Sequence, residues 1–264
     1  MRTIVDTQII SYAMKGALTE SLTDCAISST VAQEFLRVRN VETGEARYFT
    51  PPPHSFGFDT KVHYAAGRIH GRRRSSRPVF RGATDKIVMD FNNQFPSIVE
   101  YGHLGMSHLI NTANRGIFSE SVSHLPKRER KVLIEKFMFL VGQGVQCIPV
   151  AAPCITTAFE LLKTLIDRGV TLKSDFRNSL NDVLILATAV ESRHSLWTMD
   201  ELLAQLAGDH LLCRIVHSGD RYQLTFPSAE DSRRASRESK GYLNTGWRYA
   251  IHRIPAPAKP GLYR

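Results

Sequence analysis

Residues Arg2 to Gly16 constrain the fold of this chain more than any other stretch, because the hydrophobic period changes inside them. Thr3, Ile4 and Val5 are β-branched and suit a buried strand, whereas Ile9, Ile10, Ala13 and Met14 recur at helical spacing. Asp6 stands where one period gives way to the other, at the carboxyl end of the predicted strand. In an open α/β sheet that edge binds ligands, because the loops leave a crevice and helix N-termini point into it. Two roles fit Asp6 at this point: a cap on the following helix, and a site residue. Acids recurring at equivalent strand ends would favour the second.

The alternation continues. Asp24 to Ser28 reads as a short strand and Ser29 to Leu36 as a helix, with Thr30 and Gln33 at capping-box spacing and Glu34 one turn inside. Lys127 to Val141 is amphipathic and ends at Gly142 and Gly144; Val145 to Val150 is a strand; Ala152 to Arg168 is a helix closed by Gly169. Asn181 or Asp182 is expected to begin a nearly all-apolar helix, and Ser195 to Thr198 a strand with Asp200 just after it. Strand and helix in this order predict a parallel sheet covered on both faces.

Two stretches depart from the pattern. Between about Val38 and Pro126 lie three consecutive prolines, many glycines and a run with six arginines in fourteen residues: Arg68, Arg72, Arg73, Arg74, Arg77 and Arg81. The run suits phosphate contacts or base stacking as well as it suits a solvated basic loop. Within this stretch Lys86 to Asp90 is expected as a strand and Ile98 to Ile110 as a helix. The tail from Asp209 carries ten Lys/Arg against five Asp/Glu and turns β-like over Leu211 to Val216 and Tyr222 to Phe226.

Charge points to a polyanionic partner: 34 Lys and Arg oppose 25 Asp and Glu, a net +9. Cys25, Cys147, Cys154 and Cys213 show no CxxC or paired Cys/His spacing, so core thiols are expected rather than a zinc site. His54, His63, His70, His103 and His108 are unevenly spaced and are expected in loops or at the surface. No apolar run is long enough to span a bilayer and no signal-like start is seen, which predicts a cytoplasmic protein with no membrane partner.

Asp6, Glu34, Asp182 and Asp200 each follow a strand or open the next helix, and a parallel sheet would gather them at one edge. Crowded carboxylates repel one another unless a cation relieves them, which suits Mg²⁺ or Mn²⁺ and the phosphodiester hydrolysis that such ions support. Asp90, in a second strand-then-acid pattern, ranks below Asp6 because Pro96 follows without helical spacing. Asp175 and Asp209 are reserve candidates.

These residues resemble a known family. Ile4 to Ala13 resembles the opening motif of PIN-domain nucleases. Ser28 to Glu34 is similar to that family's second acidic motif, Asn181 to Ala189 to its third, and Leu196 to Asp200 to its fourth. The resemblance covers residues 1–38 and 127–207, a nuclease core, and leaves a basic insertion at 39–126 and a C-terminal β-rich extension at 208–264. It implies a three-layer α/β/α sandwich with a central parallel sheet, in which Asp6, Asp182 and Asp200 bind Mg²⁺ or Mn²⁺. Glu34 would be a ligand or would position the attacking water, with Thr7, Asn181 and Thr198 as hydrogen-bonding neighbours. It also implies RNA rather than DNA as substrate, a toxin or defence role, a protein inhibitor of the antitoxin kind, and a homo-oligomer. Gln8 departs from the family's usual Asn or small hydroxyl residue, and Met199 from its common basic residue.

Two functions are therefore expected to compete. One is a metal-dependent endoribonuclease, with the basic insertion and tail holding the RNA. The other is a non-catalytic nucleic-acid-binding or assembly subunit on the same fold.

Overall fold

The computed structural model describes residues 2–39, 44, 46–47, 85–123, 125–227 and 246–252. β1 (Thr3–Val5) feeds α1 (Thr7–Met14), and β2 (Cys25–Ser28) feeds α2 (Ser29–Phe35). A short hairpin of β3 (Val38–Arg39) and β4 (Ala46–Arg47) precedes β5 (Lys86–Asp90), β6 (Ile98–Tyr101), α3 (His103–Asn111), α4 (Arg115–Ser121) and α5 (Lys127–Gly142). The chain then runs β7 (Gln146–Ile148), α6 (Ala152–Asp167), α7 (Phe176–Ser192), β8 (Ser195–Thr198), α8 (Glu201–Leu211), β9 (Arg214–Ser218), β10 (Arg221–Thr225) and β11 (Arg248–His252).

The result is a mixed α/β structure with a mostly parallel central sheet. Six strands lie in the order β7-β2-β1-β8-β10-β9. β1 pairs in parallel with β2, through Thr3 to Cys25, and with β8, through Val5 to Trp197. β2 pairs in parallel with β7, whereas β10 lies antiparallel on β8 and β9 antiparallel on β10. Ile4, Val5 and all of Cys25–Ser28 are buried, as strands covered on both faces require. β9, in contrast, is exposed along its whole length and forms the sheet's edge.

The strand order determines where a site can form. From β1 the chain moves outward to β2 and β7, then returns to place β8 on the other side of β1. The reversal lies between β1 and β8. At such a point the connections leave the sheet in opposite directions, and a crevice opens beyond the carboxyl ends of the two strands.

Several boundaries differ from the sequence reading, each for a local reason. The helix expected to begin at Asn181 or Asp182 starts at Phe176, because Asp175 caps it by accepting the Arg177 N–H. The Thr30/Gln33 capping box is replaced by Ser28, whose hydroxyl accepts the Val31 N–H at 3.1 Å. Gln33 is thereby free to donate to the Tyr101 carbonyl at 2.9 Å. The helix expected over Ile98 to Ile110 is divided by Gly102, whose φ of 78° a side chain would resist, into strand β6 and helix α3. Leu211 still belongs to α8, so the following strand begins only at Arg214.

A second sheet, β11-β5-β6, joins two stretches distant in sequence. β5 pairs antiparallel with β6 and with β11. Phe91, fully buried just after β5, meets Phe176 edge-on at 4.9 Å and lies 5.3 Å from both Phe159 and Trp247. This aromatic cluster anchors the second sheet to the first turn of α7 and to α6. Among the described residues no helix is long and apolar enough to cross a membrane.

Candidate functional site

The crevice between the ends of β1 and β8 is built around Asp6. Its backbone N–H donates to the Trp197 carbonyl at 3.0 Å, which extends the strand pairing by one residue. Asp6 does cap α1, with Oδ1 accepting the Thr7 N–H, while Oδ2 accepts the Thr198 hydroxyl at 2.9 Å. One Asp6 oxygen is thus used as the cap while the other is turned to the end of β8. Thr198 Oγ1 also accepts the Asp200 N–H at 3.0 Å and so ties the end of β8 to the start of α8. Asp200 caps α8 through Oδ1, which accepts the Leu203 N–H at 3.0 Å; its Oδ2 faces the crevice.

Two helices bring the other acids. On α2, Glu34 accepts from Thr7 Oγ1 at 2.5 Å with one oxygen and from Asn181 Nδ2 at 2.8 Å with the other. Asn181 is 3% exposed, and its Oδ1 is buried with no hydrogen-bond partner. Asp182, the next residue, lies in the second turn of α7 and accepts from Lys173 Nζ. The same ammonium stands 3.5 Å from Asp200 Oδ2.

Burial and mutual repulsion set the electrostatics. Burial pushes the Asp6 carboxyl up to about 6, with the Glu34 and Asp200 charges adding to the rise and the Thr198 and Thr7 hydrogen bonds opposing it. Burial likewise pushes Asp182 up to about 7; the Lys173 ammonium opposes the rise but only partly offsets the burial, and Asp200 and Asp6 add smaller increments to it. For Lys173 burial works against the charge, yet Asp182 and Asp200 together overcome it and hold the ammonium above its usual range. The crevice is a place where positive charge is favoured.

The donor chemistry fits a hard divalent ion, because carboxylate and amide oxygens are the ligands that Mg²⁺ and Mn²⁺ prefer. Asp6, Asp182 and Asp200 could hold such an ion, with the unpartnered Asn181 oxygen close by. Even so, among the described residues no group of three or more His, Cys, Asp or Glu side chains is arranged to hold one as it stands. Glu34 is turned toward Thr7 and Asn181, and the place between Asp182 and Asp200 is taken by Lys173.

Of the other candidates from sequence, Gln8 is exposed on α1. Arg68, Arg72, Arg73, Arg74, Arg77 and Arg81 lie outside the described residues, as do His54, His63 and His70. Asp90 is exposed and accepts the Asn92 N–H, Asp175 caps α7, and Asp209 pairs with Arg168 at 3.0 Å.

Sequence reasoning missed Lys173, which sits in a loop with no motif around it. It also misplaced His103, expected in a loop or at the surface, which is fully buried. Its Nδ1 lies 2.8 Å from Ser29 Oγ and its Nε2 2.6 Å from Glu100 Oε2; Arg177 Nη2 donates to Glu100 Oε1 at 3.2 Å. Ser29 in turn accepts the Val150 N–H at 2.9 Å. Although it looks like a nucleophile–base–acid relay, this chain is sealed from solvent at Ser29 and His103 and works as a brace between α2, α3 and α7.

Comparison with known protein families, with characterised proteins and with solved structures finds no match to this chain.

Proposed function

We propose that this protein is a divalent-metal-dependent nuclease with a PIN-like α/β/α core, acting as an endoribonuclease. One observation carries the reading. At the reversal point between β1 and β8, Asp6, Glu34, Asp182 and Asp200 lie around one crevice, where burial above all pushes Asp6 up to about 6 and Asp182 up to about 7 and an ammonium sits against Asp182 and Asp200. Helix capping accounts for Asp6 and Asp200 but not for Glu34 and Asp182 beside them.

Asp6, Asp182 and Asp200 would hold Mg²⁺ or Mn²⁺, and the bound ion would supply Lewis-acid stabilisation of the charge that builds on the phosphate. The protein's own groups do the rest. Thr198 orients Asp6 and the start of α8 through one hydroxyl, and Thr7 with Asn181 fixes both Glu34 oxygens. Thus held, Glu34 can accept a proton from an attacking water. The net +9 of the chain offsets the repulsion between these acids and an RNA backbone.

The test compares wild type, Asp6→Asn and Asp182→Asn on structured RNA, single-stranded RNA and DNA, with Mg²⁺ or Mn²⁺ and with chelator. Wild type should cut RNA and stop when chelated. Loss of an outer partner of a metal ligand costs roughly 10- to 100-fold, so loss of a ligand should slow cleavage by at least about a hundredfold. Equal cutting by all three proteins would remove the assignment. The seating of Lys173 between two acids favours a second reading, a non-catalytic binder whose crevice is permanently neutralised. In that case RNA binding would be indifferent to chelator and no substrate would be cut.

A further inference from the structure

We infer that Lys173 is a counter-cation built into the acidic site, and that a divalent ion enters only by displacing its ammonium from Asp182 and Asp200. This rests on the metal-dependent reading above. It adds that one side chain of the protein sets how tightly the site takes metal.

Lys173 is held in a way that allows this exchange. Its backbone N–H donates to the buried Ser179 hydroxyl at 2.9 Å, which fixes the main chain beside the start of α7. Its side chain is 48% exposed and reaches the acids only with its tip. A long aliphatic stem anchored at its base can swing into solvent without disturbing the fold. The ion pairs it leaves are partly solvated, a class in which each contact contributes little.

The two occupants exclude each other. An ion held by Asp182 and Asp200 would use the oxygens that the Lys173 ammonium now contacts, and the two like charges would repel one another there. Asn181 Oδ1, on the residue next to Asp182, is buried and receives no hydrogen bond from Lys173 or from any other group. An incoming ion could draw on that oxygen as well, and it carries twice the charge without having to immobilise a flexible side chain.

Full-length wild type, Lys173→Gln and Lys173→Arg are titrated with Mn²⁺ by calorimetry and by thermal unfolding. Lys173→Gln should bind Mn²⁺ roughly fivefold to tenfold more tightly than wild type, the scale expected for two weak competing ion pairs. Lys173→Arg, which keeps the charge, should stay within about twofold of wild type. A second measurement needs no variant: acetylation of Lys173 in wild type, read by mass spectrometry, should rise when Mn²⁺ saturates the site. Equal Mn²⁺ affinity in wild type and Lys173→Gln, or acetylation unchanged at saturating metal, would overturn the displacement and leave the metal site intact. No Mn²⁺ binding by any of the three proteins would overturn both the displacement and the metal-dependent reading.

Discussion

At the scale of the residue, burial brings two acids of the crevice, Asp6 and Asp182, close to a change of protonation state near neutral pH. Asp6 and Asp182 rise from the usual 3.8 to about 6 and about 7, burial being the main cause in each. A folded-state pKa above the unfolded value means that folding favours the protonated acid. The stabilisation this gives is full below about pH 4 and is lost as pH rises through about 6 to 7. Asp182→Asn has nothing to titrate at that position. In metal-free protein the stability of wild type relative to Asp182→Asn is therefore expected to fall across that window, measured by thermal unfolding at a series of pH values. Mn²⁺ affinity should move the opposite way, because ligands must be ionised to bind. A stability difference that does not change with pH would mean that the Asp182 carboxyl is unshifted.

At the scale of the element, the acids are only as well placed as α2 and α7, and both helices are held by the segment from Lys86 to Asn111. Gln33, next to Glu34, donates to the Tyr101 carbonyl; Ser29 meets His103; and Arg177, one turn before Asn181, donates to Glu100. Glu100 is buried, and although burial alone would raise its pKa, His103 and Arg177 hold it below the usual range. Removing a buried carboxylate is costly because the Arg177 guanidinium and the buried His103 ring nitrogen lose the partner that satisfied them. Glu100→Ala is thus expected to lower stability by about 3 kcal/mol in urea unfolding. It should also loosen the Asn181–Glu34 contact, so metal-dependent cleavage should fall even at temperatures where the variant remains folded. Unchanged stability would show that the brace contributes nothing.

At the scale of the whole molecule, the nuclease reading needs positive charge outside the crevice to hold a polyanion against four carboxylates. The excess of 34 basic over 25 acidic residues supplies it in bulk, and the run containing Arg72, Arg73 and Arg74 supplies it locally. Replacing those three arginines together should weaken RNA binding and reduce the slope of log affinity against log salt by about 2, as expected when three phosphate contacts to a single strand are lost. Mn²⁺ affinity should be unaffected. An unchanged slope would make the run a spectator. The architecture adds a second long-range dependence: β11, near the C-terminus, completes the sheet of β5 and β6, and that sheet supports α7 through Phe91 and Phe176.

How much of this was legible beforehand depended on the range over which each interaction acts. The hydrophobic periods that mark β1, α1, β2 and β8 are local, so Thr3 to Met14 and Ser195 to Thr198 could be read directly from residue type. Asp6 and Asp200 were visible for the same reason, since each sits beside a change of period; Glu34 and Asp182 lie inside their helices. Capping is nearly local, yet whether Ser28 or Thr30 caps α2, and whether Asp175 or Asn181 opens α7, turns on a residue or two of register that packing decides. Pairings across long stretches of chain left no local mark. Nothing around Lys173 indicates that its ammonium meets Asp182 and Asp200, and nothing around His103 indicates that it is sealed against Ser29 and Glu100. By itself the sequence determined the alternation of strands and helices over residues 1–36 and 127–211 and the acids that accompany it, because period and residue type are written along the chain. The tertiary structure alone decided the reversal between β1 and β8 that gathers those acids, and the cation held among them, because both follow from which distant surfaces bury one another.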